Sequence, residues 1–402
     1  MGGLALAVTN LRLPDGRAGM HIGIGADGRI AAIAPGAPPP GAADQVLDGQ
    51  GDLAIPALVE GHLHLDKTLF GLPWRGHEAG PTRMSRIETD ARVLPALPLS
   101  TAGRAAALLR RCIAQGSLHL RSHADVTPEF GLDALHGTLE ARAAHAHACT
   151  VQVVAFPQAG VMRAQGTLAL LDAALREGAE VLGGLDPCEV DRDPKGQLDA
   201  LFGLASRHGV PIDIHLHEPG EMGLFSLTEF CERVRAHGMQ GRATVSHGFC
   251  LGGLAESKQK AAAAMMAESG VALATHGAGG APLPPLGLLR AEGVAVFAGN
   301  DNMRDTWGPY GTGDMLERAA VIGWRADWRT DAWLEEAFRI VSAAGAAALG
   351  IAEHGLAEGL PASFVTLPAE CVPEAVAQHA PRRLVVFRGR VVARDGIYLG
   401  HG

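Results

Sequence analysis

Between residues 53 and 299, short apolar segments rich in strand formers alternate with longer stretches rich in Ala, Leu, Glu and Arg. The strand-like segments are 53–59, 117–126, 150–156, 180–185, 211–217, 242–247, 271–275 and 294–299. Helical patterns occupy 101–115, 132–148, 166–177, 197–208, 225–237, 256–269 and 284–292, and a last one runs from about 311 to 350. Parallel strands cannot be joined by tight hairpins, so repeated strand-then-helix units imply a parallel sheet covered by its crossover helices. Eight such units over roughly 290 residues predict a (β/α)8 TIM barrel. A doubly wound open sheet is the competitor, but no G-x-G-x-x-G follows the first strand.

The two chain ends follow a different pattern. Segments 4–11, 20–24 and 30–33 at the start, and 362–367, 383–388 and 391–398 at the end, are strand-like and separated by turn signals such as Pro14-Asp15-Gly16. They predict a small β-sandwich domain built from both termini, residues 1–56 plus 357–402, beside a barrel of residues 57–356. Residues 35–43 and 68–99 read as loops.

Composition narrows the function classes. The 402 residues are 47% hydrophobic, enough for a large core. A net charge of −9 argues against nucleic acid and anionic membranes as partners. Six scattered cysteines without C-x-x-C spacing fit reduced thiols in a cytoplasmic protein. The first residues lack a basic segment with a cleavage site, and no apolar run reaches membrane-span length. Of 34 basic residues only Lys67, Lys195, Lys258 and Lys260 are lysines, whereas histidines number 18.

In barrels of this kind the chemistry sits at the C-terminal strand ends. Here those ends read His62-Leu63-His64-Leu65-Asp66-Lys67, Ser122-His123-Ala124-Asp125, Phe156-Pro157-Gln158, Asp186, His215-Leu216-His217-Glu218, Ser246-His247, His276 and Asn300-Asp301-Asn302. Packing alone does not account for histidine or carboxylate at nearly every terminus. Residues i and i+2 of a strand share a face, so His62 and His64 can chelate one ion, and His215 and His217 share a face in the same way. Imidazole and carboxylate ligands with an open position for water make a hydrolytic metal site.

The chain resembles the amidohydrolase superfamily. Within it, the chain is similar to the branch of cytosine deaminase and the N-isopropylammelide isopropylaminohydrolases. The resemblance rests on residues 59–67, on 154–158, on Gly183-Gly184-Leu185-Asp186-Pro187, on His215 with Glu218, on Ser246-His247, on residues 301–307 and on Gly311-Thr312-Gly313-Asp314-Met315. It implies that His62, His64, His215 and Asp301 hold one divalent transition metal ion, zinc or iron. The fourth strand carries no lysine that could be carbamylated to bridge two metals, which favours a mononuclear site.

The resemblance further implies hydrolytic deamination of an aminated nitrogen heterocycle, with a cytosine-like pyrimidine as one example. Asp301 would accept the proton of the attacking water, Glu218 would serve as the acid/base for the ring nitrogen, and His247 would orient the water. The alternative is an N-alkylamino-triazine hydrolase releasing an alkylamine. Lys67, Asp186, Asn302 and Trp307 look more like those triazine enzymes, whereas Glu218 matches the cytosine deaminases. A cyclic-amide hydrolase is a more distant reading. A catalytically silent relative would lack ligands or acid/base groups that this chain retains.

Around this core, Lys67 is expected to pair with Asp186 and point at a substrate carbonyl or ring nitrogen. Gln158 is expected to offer its amide, donor and acceptor together, to a ring N–H/C=O edge. Trp307 is a candidate to cover the flat ring. His123, His217 and His276 are expected to be supporting histidines. The partner so implied is a small heterocyclic substrate, and self-association into a homo-oligomer stays open.

Overall fold

In a computed structural model describing residues 3–400, eight strands form one sheet in sequence order. They are Leu58–Leu63, Ser117–Asp125, Thr150–Phe156, Val181–Leu185, Ile212–Leu216, Ala243–His247, Val271–Thr275 and Val296–Ala298. Every pairing between neighbours is parallel. The first, second and fifth strands are buried along their whole length, as expected where both faces of a sheet are covered.

The sheet closes into a barrel where the eighth strand returns to the first. Leu63 bridges to Asp301, and the Asp301 N–H donates to the carbonyl of His62 at 2.8 Å. Two glycines permit this approach. A Cβ on Gly299 would stand 2.3 Å from the His62 carbonyl oxygen, and one on Gly61 would stand 2.7 Å from that of Ala298.

Helices pack outside the barrel by apolar stripes of helical period. Thr101–Ala114 shows the logic: Ser100 caps it by accepting from the Gly103 N–H, and Ala105, Leu108, Leu109, Cys112 and Ile113 face the core. Its buried Arg104 donates to the carbonyls of Asp66, Thr68 and Leu99, which ties down the chain leaving the first strand.

The chain ends form two further sheets. One has the order Ile30–Pro35, Met20–Gly25, Leu4–Leu11, Ala43–Asp48. The other has the order Ile397–Tyr398, Arg390–Arg394, Leu384–Phe387, Phe364–Leu367, Leu53–Pro56. Leu6, Val8, Ile22 and Ile24 of the first share one core with Ala54, Phe364 and Val386 of the second. The sandwich expected from both termini is therefore present.

Several segments differ from expectation. The stretch 53–59 is not one strand. Leu53–Pro56 pairs antiparallel with Phe364–Leu367 in the terminal sheet, and the barrel begins at Leu58. Pro56 has no N–H to continue a ladder, and the Ala57 and Leu58 N–H groups turn to Ser363 and Gly116. Residues 83–93 form a helix inside the expected loop, capped by a reciprocal Thr82–Ser85 box. The stretch after 311 breaks into Met315–Arg325, Asp331–Ile340 and Ala343–Ala348. Among the described residues no helix is long and apolar enough to cross a membrane.

Candidate active site

The strand ends gather the expected ligands at the barrel mouth. Asp301 Oδ1 lies 3.5 Å from His62 Nε2 and 3.3 Å from His64 Nε2. Donor atoms of His62, His215, His247 and Asp301 all fall within 4.8 Å of one another, and so do those of His62, His64, His123 and His215. His62 Nε2, His64 Nδ1 and both ring nitrogens of His123, His215 and His247 are buried without a hydrogen-bond partner. Lone pairs left bare in a core are costly, and a shared cation would satisfy them. Neither set holds all four expected ligands: His62 and His215 are common to both, His64 falls in one and Asp301 in the other, although His64 Nε2 and Asp301 Oδ1 approach to 3.3 Å. By donor type His62, His64, His215 and Asp301 fit a divalent transition metal.

The electrostatics agree with that use. Burial holds the His64, His215 and His247 imidazoles well below their usual pKa, hence neutral and able to ligate. Burial alone would raise the Asp301 carboxyl, but the adjacent His62, His64 and His247 imidazoles outweigh it and hold it well below its ordinary value. The backbone is left-handed at Asp301 (φ 62°) and at His247 (φ 75°), a conformation disfavoured for these residues and tolerated where it aims a side chain.

Beyond the ligands the mouth opens into a cavity of about 480 Å³, lined by Lys67, Gln158, His217, His276, Asn302 and Trp307 among others. Lys67 is almost fully buried. Its ammonium lies 2.8 Å from Gln158 Oε1, 3.0 Å from Asp125 Oδ1 and 3.9 Å from Asp90 Oδ2. It also lies 5.4 Å from the Trp307 ring. Burial opposes the charge, but Asp125, Asp90 and Asp66 outweigh it and keep the lysine protonated.

The expected Lys67–Asp186 pair does not form. Asp186 instead accepts from the His217 N–H at 2.6 Å, faces His217 Nδ1 at 2.8 Å and meets Arg83 Nη1 at 3.1 Å. Burial would raise the Asp186 carboxyl, but His217 and Arg83 pull it below its ordinary value. The expected dual role of Gln158 also changes. Its oxygen accepts from Lys67, and its Nε2 is buried without a partner, so the amide N–H is the group left wholly unsatisfied.

Glu218 is the largest departure. Its Oε1 accepts from the Cys188 and Glu189 N–H groups at 2.6 and 2.9 Å, and its Oε2 from the Ser226 hydroxyl at 2.5 Å. Burial raises its carboxyl. It does not line the cavity, whereas His217 does, with its ring stacked on His247 at 4.3 Å between centroids. Asn302 and Trp307 line the cavity but are themselves held: Asn302 Nδ2 donates to Asp305, and Trp307 Nε1 donates to Asp90 at 2.6 Å. Burial pushes the Asp305 carboxyl up to about 7.

Asp125, Asp90 and Arg83 went unassigned from sequence. Asp125 carried a usable signal, since it follows His123 by two residues on the second strand and shares its face. Asp90 and Arg83 lie on the helix Arg83–Val93, where no loop reading could place them.

A (β/α)8 barrel with three histidines and an aspartate at its strand ends is the architecture of a metal-dependent hydrolase of C–N bonds. Residues 45–393 match the amidohydrolase family, and the chain belongs to it. N-isopropylammelide isopropylaminohydrolase from Burkholderia multivorans ATCC 17616 is similar in structure, with a TM-score of 0.93 and 43% identity over 98% of this chain and 99% of that one. The liganded 5-methylcytosine deaminase of Klebsiella pneumoniae gives a TM-score of 0.85 at 26% identity, covering 98% of each chain. N-isopropylammelide isopropyl amidohydrolase of Pseudomonas sp. (strain ADP) is 29% identical over 360 residues, 87% of this chain and 88% of that protein.

Proposed function

We propose that the protein hydrolyses the bond between a ring carbon and an exocyclic amine on an oxo-substituted nitrogen heterocycle. The observation that carries this reading is the donor-rich wall beside the ligand cluster. Lys67 contributes an ammonium, and Gln158 contributes an amide N–H whose oxygen is already engaged. Such a wall favours ring carbonyls or an ionised ring over a ring N–H. A cytosine-type N–H/C=O edge would leave one partner unmet, at a cost of about 1–3 kcal/mol.

A divalent ion such as zinc or iron, held by His62, His64, His215 and Asp301, would supply a water activated near neutral pH. Asp301 accepts the proton of the attacking water. His247, whose ring nitrogen falls within 4.8 Å of the Asp301 donor atom, orients that water. The acid/base role passes from Glu218 to His217. Its Nδ1–H is committed to Asp186, so Nε2 is the atom offered to the cavity, and the buried carboxylate stabilises the imidazolium when His217 takes a proton. The proton that Asp301 took from the water is relayed through the substrate and His217 to the departing amine, so both residues end in their starting states.

Ammonia and an alkylamine are both compatible leaving groups. Alkylamine release is favoured by the 43% identity to the isopropylaminohydrolase structure. The test is turnover of the metal-loaded protein on cytosine, a pterin, and aminated dioxo-triazines with and without an N-alkyl group, scoring ammonia and alkylamine separately. The dioxo rings should be preferred by about tenfold or more, the worth of one unmet hydrogen bond. Preference for cytosine, or absence of C–N cleavage on every ring, would overturn the proposal.

A further inference from the structure

Beneath the ligand cluster runs a buried polar chain. Arg121 Nη1 lies 3.1 Å from Asp213 Oδ2, the Ser246 hydroxyl donates to Asp213 Oδ1 at 2.7 Å, and Ser246 Oγ stands 2.9 Å from His62 Nδ1. Asp213 and Ser246 are fully buried, and Arg121 is nearly so. The proton count along this chain has one solution. A carboxylate facing a guanidinium can only accept, so the single hydroxyl proton of Ser246 goes to Asp213. Ser246 Oγ can then only accept from His62, which puts the imidazole proton on Nδ1. Nε2 is left with its lone pair, buried, unpartnered and 3.5 Å from Asp301 Oδ1. His64 Nδ1 and both nitrogens of His215 have no such partner. Of these three imidazoles, His62 alone is held in its ligating form by the protein.

We propose that Ser246 and Asp213 are positioning residues that set the tautomer and ring orientation of His62 before any ion binds. The inference rests on the reading of His62 as a ligand. It predicts an effect on metal affinity that a merely space-filling serine would not have.

The test titrates the metal-free protein with Co(II) against a chromophoric chelator, following the visible spectrum, for wild type, Ser246→Ala and Ser246→Thr. Ser246→Ala should bind about tenfold to hundredfold more weakly with an altered spectrum, and Ser246→Thr, which keeps the hydroxyl, should recover most of the affinity. Wild-type binding together with a folded Ser246→Ala of equal affinity overturns this inference alone. A wild type that binds no Co(II) overturns the metal reading and this inference together. A second measurement needs no variant at 246. The 15N shifts of His62, identified by their loss in His62→Gln, should report the Nδ1–H tautomer, and an Nε2–H pattern overturns the proposal.

Discussion

His217 faces the cavity and Glu218 faces away from it, because consecutive residues leaving a strand alternate sides. His217→Asn should therefore lower kcat about a hundredfold or more with metal content intact, whereas Glu218→Gln should change kcat far less. The reverse ranking would return the acid/base role to Glu218. Strand alternation alone already set His217 on the face of His215, so this much was legible in the sequence. The motif resemblance pointed instead to Glu218, whose place depends on where the N–H groups of Cys188 and Glu189 lie. Lys67 was likewise legible, as a lysine three residues past a ligand in an arginine-rich chain. Its partners were not, since Asp125 and Asp90 come from distant segments. Lys67→Arg puts a planar fork where a compact ammonium fits between Asp125 and Gln158, and kcat/KM should fall by about tenfold or more. Unchanged kcat/KM with full metal content would remove Lys67 from substrate binding.

Seven of the eight strands were legible because buried parallel strands read as short apolar runs between amphipathic helices, whereas the first was merged with Leu53–Pro56 of the terminal sheet. The helix Arg83–Val93 was not. Only Thr89, Asp90 and Val93 are buried on it, so it carries no apolar stripe and shows little more than its Thr82–Ser85 cap. Yet it brings Arg83 to Asp186 and Asp90 to Trp307. At the seam, packing depends on the absence of side chains. Gly299→Ala should destabilise the protein by about 2–3 kcal/mol or more, because the added methyl group meets backbone rather than a movable side chain. Gly203→Ala, in the helix Pro194–His208 with open space around it, is the matched control and should be neutral or stabilising. Urea midpoints of the two variants decide the point, and equal midpoints would deny the seam its tightness.

Acid should weaken the junction between the barrel and the terminal sheets. His119 lies in the second barrel strand near the rings of His354 and Phe387, and burial lowers its pKa from 6.5 to about 3. Between those values the unfolded chain binds a proton that the folded chain does not, so stability rises with pH through this window. The slope from this one group is at most about 1.4 kcal/mol per pH unit. His119→Gln should flatten that part of the profile, and the difference in urea midpoint from wild type should change between pH 3 and 6.5 and be level above it. A constant difference would mean that His119 does not carry the acid sensitivity.

Asp301 is both a ligand candidate and the last rung joining the eighth strand to the first. An ion that grips Asp301 together with His62 is then a clasp on the cylinder as well as a reagent. Stripping it with a chelator should raise amide deuterium uptake in Leu58–Leu63 and Val296–Ala298, while Thr150–Phe156 and Val181–Leu185, on the opposite side of the ring, keep their protection. Uniform uptake would show that the clasp is idle. If it holds, the backbone itself becomes a gauge of site occupancy that needs no substrate to read.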